Sequence, residues 1–472
     1  MALLHPAARE PLTKPIPALV RRIRAIAPLH LASLVFFVAF AGQAVRNLVD
    51  WAGFAVVVLA LFAVTLIRLG PVAGAGSLLR SVPRSLLLFV ALSAASIAWS
   101  QYPTASVLGV AIQVVTALTG VLLASALGWS SLLEALWRAV TWICGLSLGF
   151  ELVVSLVIGH PVLPPVLPAD GQPASYYWSA DQLLVGGPIQ GIVGNRNLLA
   201  FVALLGLIVA GLRMFEHARG RLNALVWTAV FLLCIGLTRS ATVVLAVVAL
   251  LAVVAVLLAV RYLPWRLRRL LYPGGAALLL ALVSYAVIHS ATIFSLVGRD
   301  DDMSGRAEIW SKVLHLAAEH PVLGWGWVSY WVPWVEPFKG LVVIDHTPYF
   351  QAHNALLDIL MQLGAVGAIA AIAVAGWASS RAWRIAVAPV DALGRPAAYR
   401  ARTLAPVLLL GALLIQSLTE SRLLIEGNWL LLVVLCVLVK RDSPPSGSTR
   451  LTQRPPREAR EQKAERVPLS PL

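Results

Sequence analysis

Charged residues are scarce in this sequence. Aspartate, glutamate, lysine and arginine together make up 12% of the 472 residues, whereas 59% of the residues are hydrophobic. Soluble domains carry about 25% charged residues. One large core does not account for this deficit, which instead indicates many separate apolar runs. A helical run of about 20 residues is long enough to cross a hydrocarbon layer of about 30 Å.

Cysteine is also rare. Each of the three cysteines, Cys144, Cys234 and Cys436, lies inside an apolar run. Their spacing predicts neither a metal site nor a disulfide framework, and we interpret them as small packing residues. The sequence shows no metal-ligand pair, no nucleotide-sugar motif and no internal repeat, so it predicts no metal ion and no other cofactor.

Acidic residues are the scarcer of the two charge classes. With 37 basic and 22 acidic residues, the formal net charge is +15. A nucleic-acid-binding protein gathers its basic residues on one face, whereas here they form short clusters between apolar runs. Such clusters are typical of the cytoplasmic loops of membrane proteins. The sequence therefore predicts membrane lipids as partners, with the basic tail near anionic headgroups, and no nucleic acid.

The apolar runs predict an all-α, polytopic membrane protein, because a helix satisfies its own backbone polar groups inside lipid. The runs are too long and too continuous for the alternation of about ten residues that a membrane β-barrel needs. We predict about 12 transmembrane helices. They lie near Leu29–Val45, Trp51–Ile67, Ser85–Trp99, Val107–Leu127, Leu136–Ile158, Leu198–Leu212, Leu222–Leu237, Ala241–Val260, Tyr272–Ser290, Ala355–Ala378, Leu404–Leu418 and Trp429–Val439.

The basic clusters also predict the orientation. They precede the first span and fill alternate loops, whereas the loops around Gln101 and from His160 to Ile192 hold no lysine or arginine. Both ends of the chain are therefore predicted to lie in the cytoplasm. In this interpretation residues 1–28 form a cytoplasmic leader, residues 29–439 the transmembrane domain, and residues 440–472 a disordered basic tail.

Two long loops are predicted on the outer side, residues 159–194 and residues 291–352. The second loop holds five tryptophans, so we expect it to be ordered. Within it, Ser304 to His320 is predicted as a helix that Ser304 caps and Pro321 ends. An apolar stripe along this helix would let it lie flat at the membrane–water interface. The stripe consists of Ile309, Trp310, Val313, Leu314 and Ala317.

Arginine on the outer side is an exception to the charge pattern, and three such arginines stand where a helix begins or ends. They are Arg196 in Gly194-Asn195-Arg196-Asn197, Arg239 in Thr238-Arg239-Ser240, and Arg306 in Ser304-Gly305-Arg306. If the three converge, their planar guanidinium groups suit a polyanion that contains phosphate. The alternative is that each arginine reaches lipid headgroups or pairs with a nearby carboxylate.

His353 opens the tenth span together with Asn354. Histidine is the commonest general base in catalysis, although a structural hydrogen bond is the alternative role. Asp358 shares a helix face with Asn354 and Gln362 at intervals of four residues. A carboxylate facing lipid is costly, so we predict that Asp358 faces the protein interior.

Further polar and aromatic residues stand near the predicted outer mouth. Glu420 and Glu426 flank Arg422 and pair either with it or with one of the other arginines. Trp325 and Trp327 either stack on sugar rings or belong to an interfacial aromatic belt.

The order of these motifs resembles the O-antigen ligase and O-antigen polymerase (Wzy-like) superfamily of bacterial membrane glycan transferases. The resemblance covers roughly Gly194 to Val439. Its most specific part is a His-Pro…Gly-x-Gly loop followed by His-Asn and Leu-Gly-x-x-Gly. The residues that carry it are His320-Pro321, Gly324-Trp325-Gly326, His353-Asn354 and Leu363-Gly364-Ala365-Val366-Gly367, together with the three arginine motifs and Thr419-Glu420-Ser421.

The resemblance implies a metal-independent glycosyl transfer at the outer face of the bacterial cytoplasmic membrane. The donor would be a glycan on undecaprenyl pyrophosphate, the acceptor a glycan or a lipid, and further partners would be polysaccharide-assembly proteins. His353 would take the proton of the acceptor, and the three arginines would hold the pyrophosphate as negative charge develops on it. The residues that would support this site are Asn197, Asn354, Asp358 and Glu420.

Several functions stay open at this point. A ligase and a polymerase differ in the acceptor, which the sequence does not distinguish. The rivals from other classes are a polysaccharide transporter or flippase and a non-catalytic scaffold of an export complex. Transporters usually place their sites near the bilayer midplane within repeated halves, whereas the polar candidates here lie at the outer edge. A scaffold would leave His353 dispensable.

Overall fold

The computed structural model describes residues 18–73, 75–168, 176–216, 220–263, 267, 270, 300–344, 347–387 and 400–442, and these fold into a helical bundle. The α-helices of the described residues are α1 Ala18–Ala25, α2 Pro28–Phe40, α3 Gly42–Ala73, α4 Ala75–Ser81, α5 Arg84–Ala95, α6 Pro103–Ala126, α7 Trp129–Val153, α8 Arg196–Glu216, α9 Arg221–Thr238, α10 Ala241–Tyr262, α11 Asp300–Glu319, α12 Ala355–Val387, α13 Ala401–Ser417 and α14 Glu426–Asp442. Two short strands, β1 (Val343–Ile344) and β2 (Thr347–Pro348), pair in antiparallel orientation.

The predicted class is confirmed: the protein is an all-α, polytopic membrane protein. Among the described residues, seven helices are long and apolar enough to cross a membrane, or eight if the bent pair α1–α2 counts as one span. Each predicted span except the ninth overlaps a described helix. The ninth, Tyr272–Ser290, lies outside the described residues, as do most of the predicted leader and nearly all of the tail. The total of about 12 spans therefore stays a prediction.

The first predicted span, Leu29–Val45, is interrupted in the structure. Helix α2 ends at Phe40, α3 begins at Gly42, and α3 itself breaks at Asp50, whose φ is 62°. At the other end of α2, the basic helix α1 turns away by 86°. Its arginines, among them Arg22 and Arg24, explain why α1 does not continue into the apolar layer.

The last helix, α14, occupies the centre of the bundle. Every residue from Trp429 to Val439 is buried, which is the pattern of a helix that is enclosed by protein on all sides. It packs against α2, α6, α12 and α13. A Cβ atom on Gly120 of α6 would lie 3.1 Å from Val433, so the two helices approach closely because this residue is glycine.

Two basic residues of α14 contact helix carboxyl ends at one end of the bundle. At one end, Lys440 donates to the carbonyl oxygens of Arg80 (2.6 Å) and Val82 (2.8 Å). Arg441 donates to the carbonyl oxygen of Ala124 at 3.0 Å, at the carboxyl end of α6. Cations at helix carboxyl ends are favourable because the exposed carbonyl groups carry partial negative charge. The amino end of α6 lies at the opposite end of the bundle, beneath a second layer of the protein.

This second layer, the outer layer, has a hydrophobic cluster of its own. Its buried residues are Tyr102, Ile309, Val313, Leu316, Ala317, Val328, Trp331, Phe338, Val342, Ala352 and Met361. The loop 291–352 supplies most of them, so its described part is ordered as predicted. The remaining members come from the start of α6 and from α12, which joins the layer to the bundle.

Helix α11 differs from its predicted form in two ways. It begins at Asp300, so Ser304 lies inside it and does not cap it. The helix ends at Glu319, close to the predicted Pro321 stop. Its apolar face, including Ile309 and Val313, packs into the outer layer, while Leu314 is exposed. The helix therefore rests on protein with this face, and the prediction that the stripe faces the interface is wrong.

A kink in α12 holds the outer layer to the bundle. Gly364 interrupts the helix with φ 63° and ψ −165°, which frees backbone groups that apolar surroundings cannot satisfy. The loop from Pro321 to Gly326 takes up these groups. The hydrogen bonds run from the amides of Trp325 to Met361 O (3.1 Å), Gly326 to Gln362 O (2.8 Å), Ala365 to Pro321 O (2.8 Å) and Val366 to Val322 O (3.2 Å). The Gly-x-Gly and Leu-Gly-x-x-Gly motifs thus form one structural contact.

We expect Gly364→Ala to destabilise the protein by about 3 kcal/mol. A Cβ atom here would lie 2.3 Å from the carbonyl carbon of Val322, and the backbone conformation is one that glycine alone adopts without strain. Gly376→Ala in the same helix is the control, because a Cβ atom there meets nothing within 4 Å. Thermal unfolding in detergent measures both, and equal midpoints would contradict this account of the kink.

Candidate functional site

The site is built around the start of α12. His353 precedes the helix with φ 50°, in the left-handed region that side chains other than glycine rarely adopt. The next residue, Asn354, caps the helix: its Oδ1 accepts the amides of Leu356 (3.0 Å) and Leu357 (3.2 Å). This cap fixes the backbone on one side of His353, so the direction of the imidazole is determined by the fold.

The turn between α13 and α14 lies against His353. Glu420 in this turn places Oε2 3.3 Å from Nδ1 of His353. The same carboxylate accepts hydrogen bonds from Asn197 Nδ2 at 2.9 Å and from Gln351 Nε2 at 3.3 Å. The neighbouring Ser421 accepts the amide of Asn354 at 3.1 Å. The two turns are therefore joined by both backbone and side-chain contacts.

The contact with Glu420 decides which imidazole nitrogen is free for chemistry. Gln351 Nε2 also lies 3.4 Å from Nδ1, and its role there depends on the tautomer of the imidazole. We assign the hydrogen to Nδ1, because a carboxylate only accepts hydrogen bonds. In the neutral ring Nε2 is then an acceptor. The His353 side chain is 18% exposed, whereas that of Glu420 is 5% exposed. The arrangement is that of a base oriented by a buried carboxylate.

The Glu420 carboxylate is strongly held in its ionised form. Burial alone would raise the pKa of Glu420, but the charge and hydrogen bond of His353 and the charges of Arg422 and Arg306 lower it to about 2. Glu420 is therefore negative across the physiological pH range. Arg306, on α11 of the outer layer, thus lies close enough for its charge to act on a carboxylate between α13 and α14.

The other two predicted arginines adjoin the same network. Asn197, next to Arg196, bonds Glu420 and also accepts from Ser240 Oγ at 2.8 Å. Ser240 directly follows Arg239, which ends α9 in the left-handed conformation with φ 49°. The chain Ser240–Asn197–Glu420 therefore brings the backbones of the Arg196 and Arg239 segments to the Glu420 turn.

Asp358 and Gln362 support the outer layer. Asp358 accepts from Trp331 Nε1 at 2.7 Å and from the amide of Ala352 at 3.1 Å. Gln362 Oε1 accepts the amide of Val328 at 2.9 Å. Both side chains are buried and turned towards protein, as the cost of a charge in lipid predicts. They hold in place the loop that ends at His353.

The two tryptophans proposed for sugar stacking lie in different surroundings. Trp327 is 2% exposed and meets Phe89 edge-on, with ring centroids 6.1 Å apart. Its rings have no face open to a sugar, so Trp327 is a packing residue and does not stack on the glycan. Trp325 is half-buried; its Nε1 donates to Leu316 O at 2.9 Å and its ring meets His320 edge-on.

One cluster near the site was not predicted from the sequence. Glu151, at the end of α7, is buried and accepts from Ser179 Oγ (2.7 Å) and the amide of Gly191 (2.7 Å). It thereby anchors the loop that leads to Arg196, and a glutamate inside an apolar run was the signal for it.

Glu426 accepts from both Arg46 and Arg422. The sequence offered Arg422 and the other arginines as alternative partners, and the structure contains a pairing of each kind.

The part of the chain that holds several of these motifs is similar to known proteins. Residues 224–372 match the family described as O-antigen ligase. The predicted family resemblance is confirmed. The matched segment contains Arg239, Arg306 and His353, whereas Arg196 and Glu420 lie outside it. The chain is also 26% identical over 190 residues to the exopolysaccharide production protein ExoQ of Rhizobium meliloti (strain 1021), an alignment that covers 38% of this chain and 43% of ExoQ. The chain thus aligns with less than half the length of this relative.

We expect Trp331→Phe to destabilise the protein by about 1.5–3 kcal/mol, because the buried carboxylate of Asp358 then loses the hydrogen bond from the indole N–H. Trp334→Phe is the matched control, since Trp334 is 77% exposed three residues away. Thermal unfolding in detergent would show a lower midpoint for Trp331→Phe alone. A wild-type midpoint for both variants would mean that the bond to Asp358 does not stabilise the outer layer.

Proposed function

We propose that the protein transfers a glycan from undecaprenyl pyrophosphate to a hydroxyl group of an acceptor, at the outer face of the bacterial cytoplasmic membrane. The observation that carries this proposal is the pair of His353 and Glu420, with Nδ1 and Oε2 3.3 Å apart. The match of residues 224–372 to the O-antigen ligase family supports the same class of reaction.

In this mechanism Nε2 of His353 takes the proton of the acceptor hydroxyl. The acceptor oxygen forms a bond to the anomeric carbon of the donor sugar, while the bond from that carbon to the pyrophosphate oxygen breaks. The electron pair of the broken bond stays on the pyrophosphate. Glu420 orients the imidazole and stabilises the positive charge that it gains.

The negative charge that develops on the leaving pyrophosphate needs fixed positive charge nearby. We assign this role to Arg196, Arg239 and Arg306, whose segments meet at the Glu420 network. A guanidinium group binds two phosphate oxygens at once, which suits a diphosphate. Because three fixed cations supply this charge, the mechanism that we propose is metal-independent.

The remaining features of the proposal concern place and acceptor. The site lies at the end of the bundle opposite to Lys440 and Arg441, and the positive-inside pattern supports an outer position for the site and a cytoplasmic position for both chain ends. The acceptor is another lipid-linked glycan for a polymerase and a different lipid or glycan for a ligase. The family match names ligation and the relative is named for exopolysaccharide production, so both acceptors remain within the proposal.

We expect His353→Ala to abolish or reduce glycan transfer by about 10²-fold or more, because it removes the general base. Genetic complementation that reads surface polysaccharide and lipid-linked precursor measures the loss. Long chains left on the carrier lipid would indicate a ligase, and single repeat units a polymerase. His315→Ala, at an exposed position of α11, is the matched control. Undiminished product from well-expressed His353→Ala would refute the proposed base and favour a transporter or scaffold.

We expect Glu420→Gln to lower the transfer rate by about 10²-fold. In this variant the imidazole of His353 loses the carboxylate that orients it and that offsets the positive charge it gains during transfer. Glu308→Gln at an exposed position of α11 is the control. A wild-type transfer rate in Glu420→Gln would show that Glu420 does not act on His353.

A further inference from the structure

Arg422 stands two residues after Glu420, in the turn between α13 and α14, and the mechanism above gives it no role. Its Nη1 lies 3.5 Å from Glu426 Oε2, which is at the outer limit of a hydrogen bond. The Arg422 side chain is 18% exposed, as is that of His353. Glu420 contacts His353 and precedes Arg422 by two residues, so both groups lie at the same end of the bundle.

Glu426 is already matched by another arginine. Arg46 of α3 makes the close contact with Glu426 Oε1, and its side chain is 5% exposed. Arg46 also donates to Gln43 Oε1 at 3.0 Å and lies over the Trp51 ring, 4.6 Å from its centroid. Arg46 is thus fixed as the partner of Glu426. Two arginines share one carboxylate, and Arg422 is the one with the weaker contact.

The other carboxylate near Arg422 is Glu420. The charges of Arg422 and Arg306 both help to keep Glu420 ionised, as does His353. While His353 is neutral, Glu420 balances positive charge from these arginines. Once His353 takes up the proton of the acceptor, the imidazolium becomes the nearest partner of Glu420. Arg306 and Arg422 then lose part of their counter-charge at the moment when the pyrophosphate gains negative charge.

We propose that Arg422 is a further diphosphate-binding residue, which faces the donor together with Arg306 across Glu420. This assignment rests on the proposed function for the identity of the ligand, a diphosphate ester. Glu420 then links the two halves of the reaction, because protonation of the base frees cationic charge for the leaving group. Arg46 keeps Glu426 paired whether or not Arg422 contacts the ligand.

The test is the binding of inorganic pyrophosphate to the purified full-length protein in detergent, measured by calorimetry. We expect Arg422→Gln to bind about tenfold more weakly, which corresponds to one lost hydrogen bond to a charged group. Arg422→Lys should show a smaller loss, because lysine keeps the charge but not the planar fork. Arg138→Gln is the matched control, since Arg138 also pairs with a glutamate four residues away, Glu134. Its affinity should equal that of wild type.

The outcomes separate this inference from the proposed function. Wild-type affinity in Arg422→Gln with an unchanged thermal midpoint would overturn the role of Arg422, even if His353→Ala has no transfer activity. If Arg422→Gln unfolds early, Arg422→Lys replaces it, and an unchanged affinity there overturns the contact. Competition identifies the source of the phosphate: an isoprenyl diphosphate should displace pyrophosphate. Equal displacement by phosphatidylglycerol would assign Arg422 to phospholipid headgroups and refute the proposal.

Discussion

The structure depends on one buried carboxylate, that of Glu420. It contacts the imidazole of His353 and an amide from the start of α8, and it lies within the fields of Arg306 and Arg422. A buried charge is stable when several partners offset the loss of water. Those partners come from α8, from the outer layer and from the turn before α14. The contacts that keep Glu420 ionised therefore also hold these three elements together.

The outer layer and the bundle are joined by a break in regular structure. Gly364 interrupts α12, and the loop from Pro321 to Gly326 supplies the missing hydrogen bonds. From there the chain continues through Trp331, which donates to Asp358 one turn below the start of α12. The position of His353 is therefore set by contacts on both sides of the loop. A site made of turns achieves in this way the rigidity that helices usually provide.

Hydropathy predicted the helices well because a long apolar run has few alternatives in lipid. It was less informative where the chain leaves the apolar layer. Helix α11 starts at Asp300, earlier than the predicted Ser304. The sequence also named His353 and Glu420 without joining them. Their contact depends on the packing of α12 against α13 and α14, which no local pattern records.

The enclosed position of α14 has a consequence for biosynthesis. Ribosomes release the chain from its amino end, so α14 and the Glu420 turn emerge after α2, α6, α12 and α13, the helices that surround them. Until then the Glu420 turn is absent, so His353 has no carboxylate beside it. Under the proposed mechanism, the orientation of the base therefore waits for the last of the described helices to pack into the bundle.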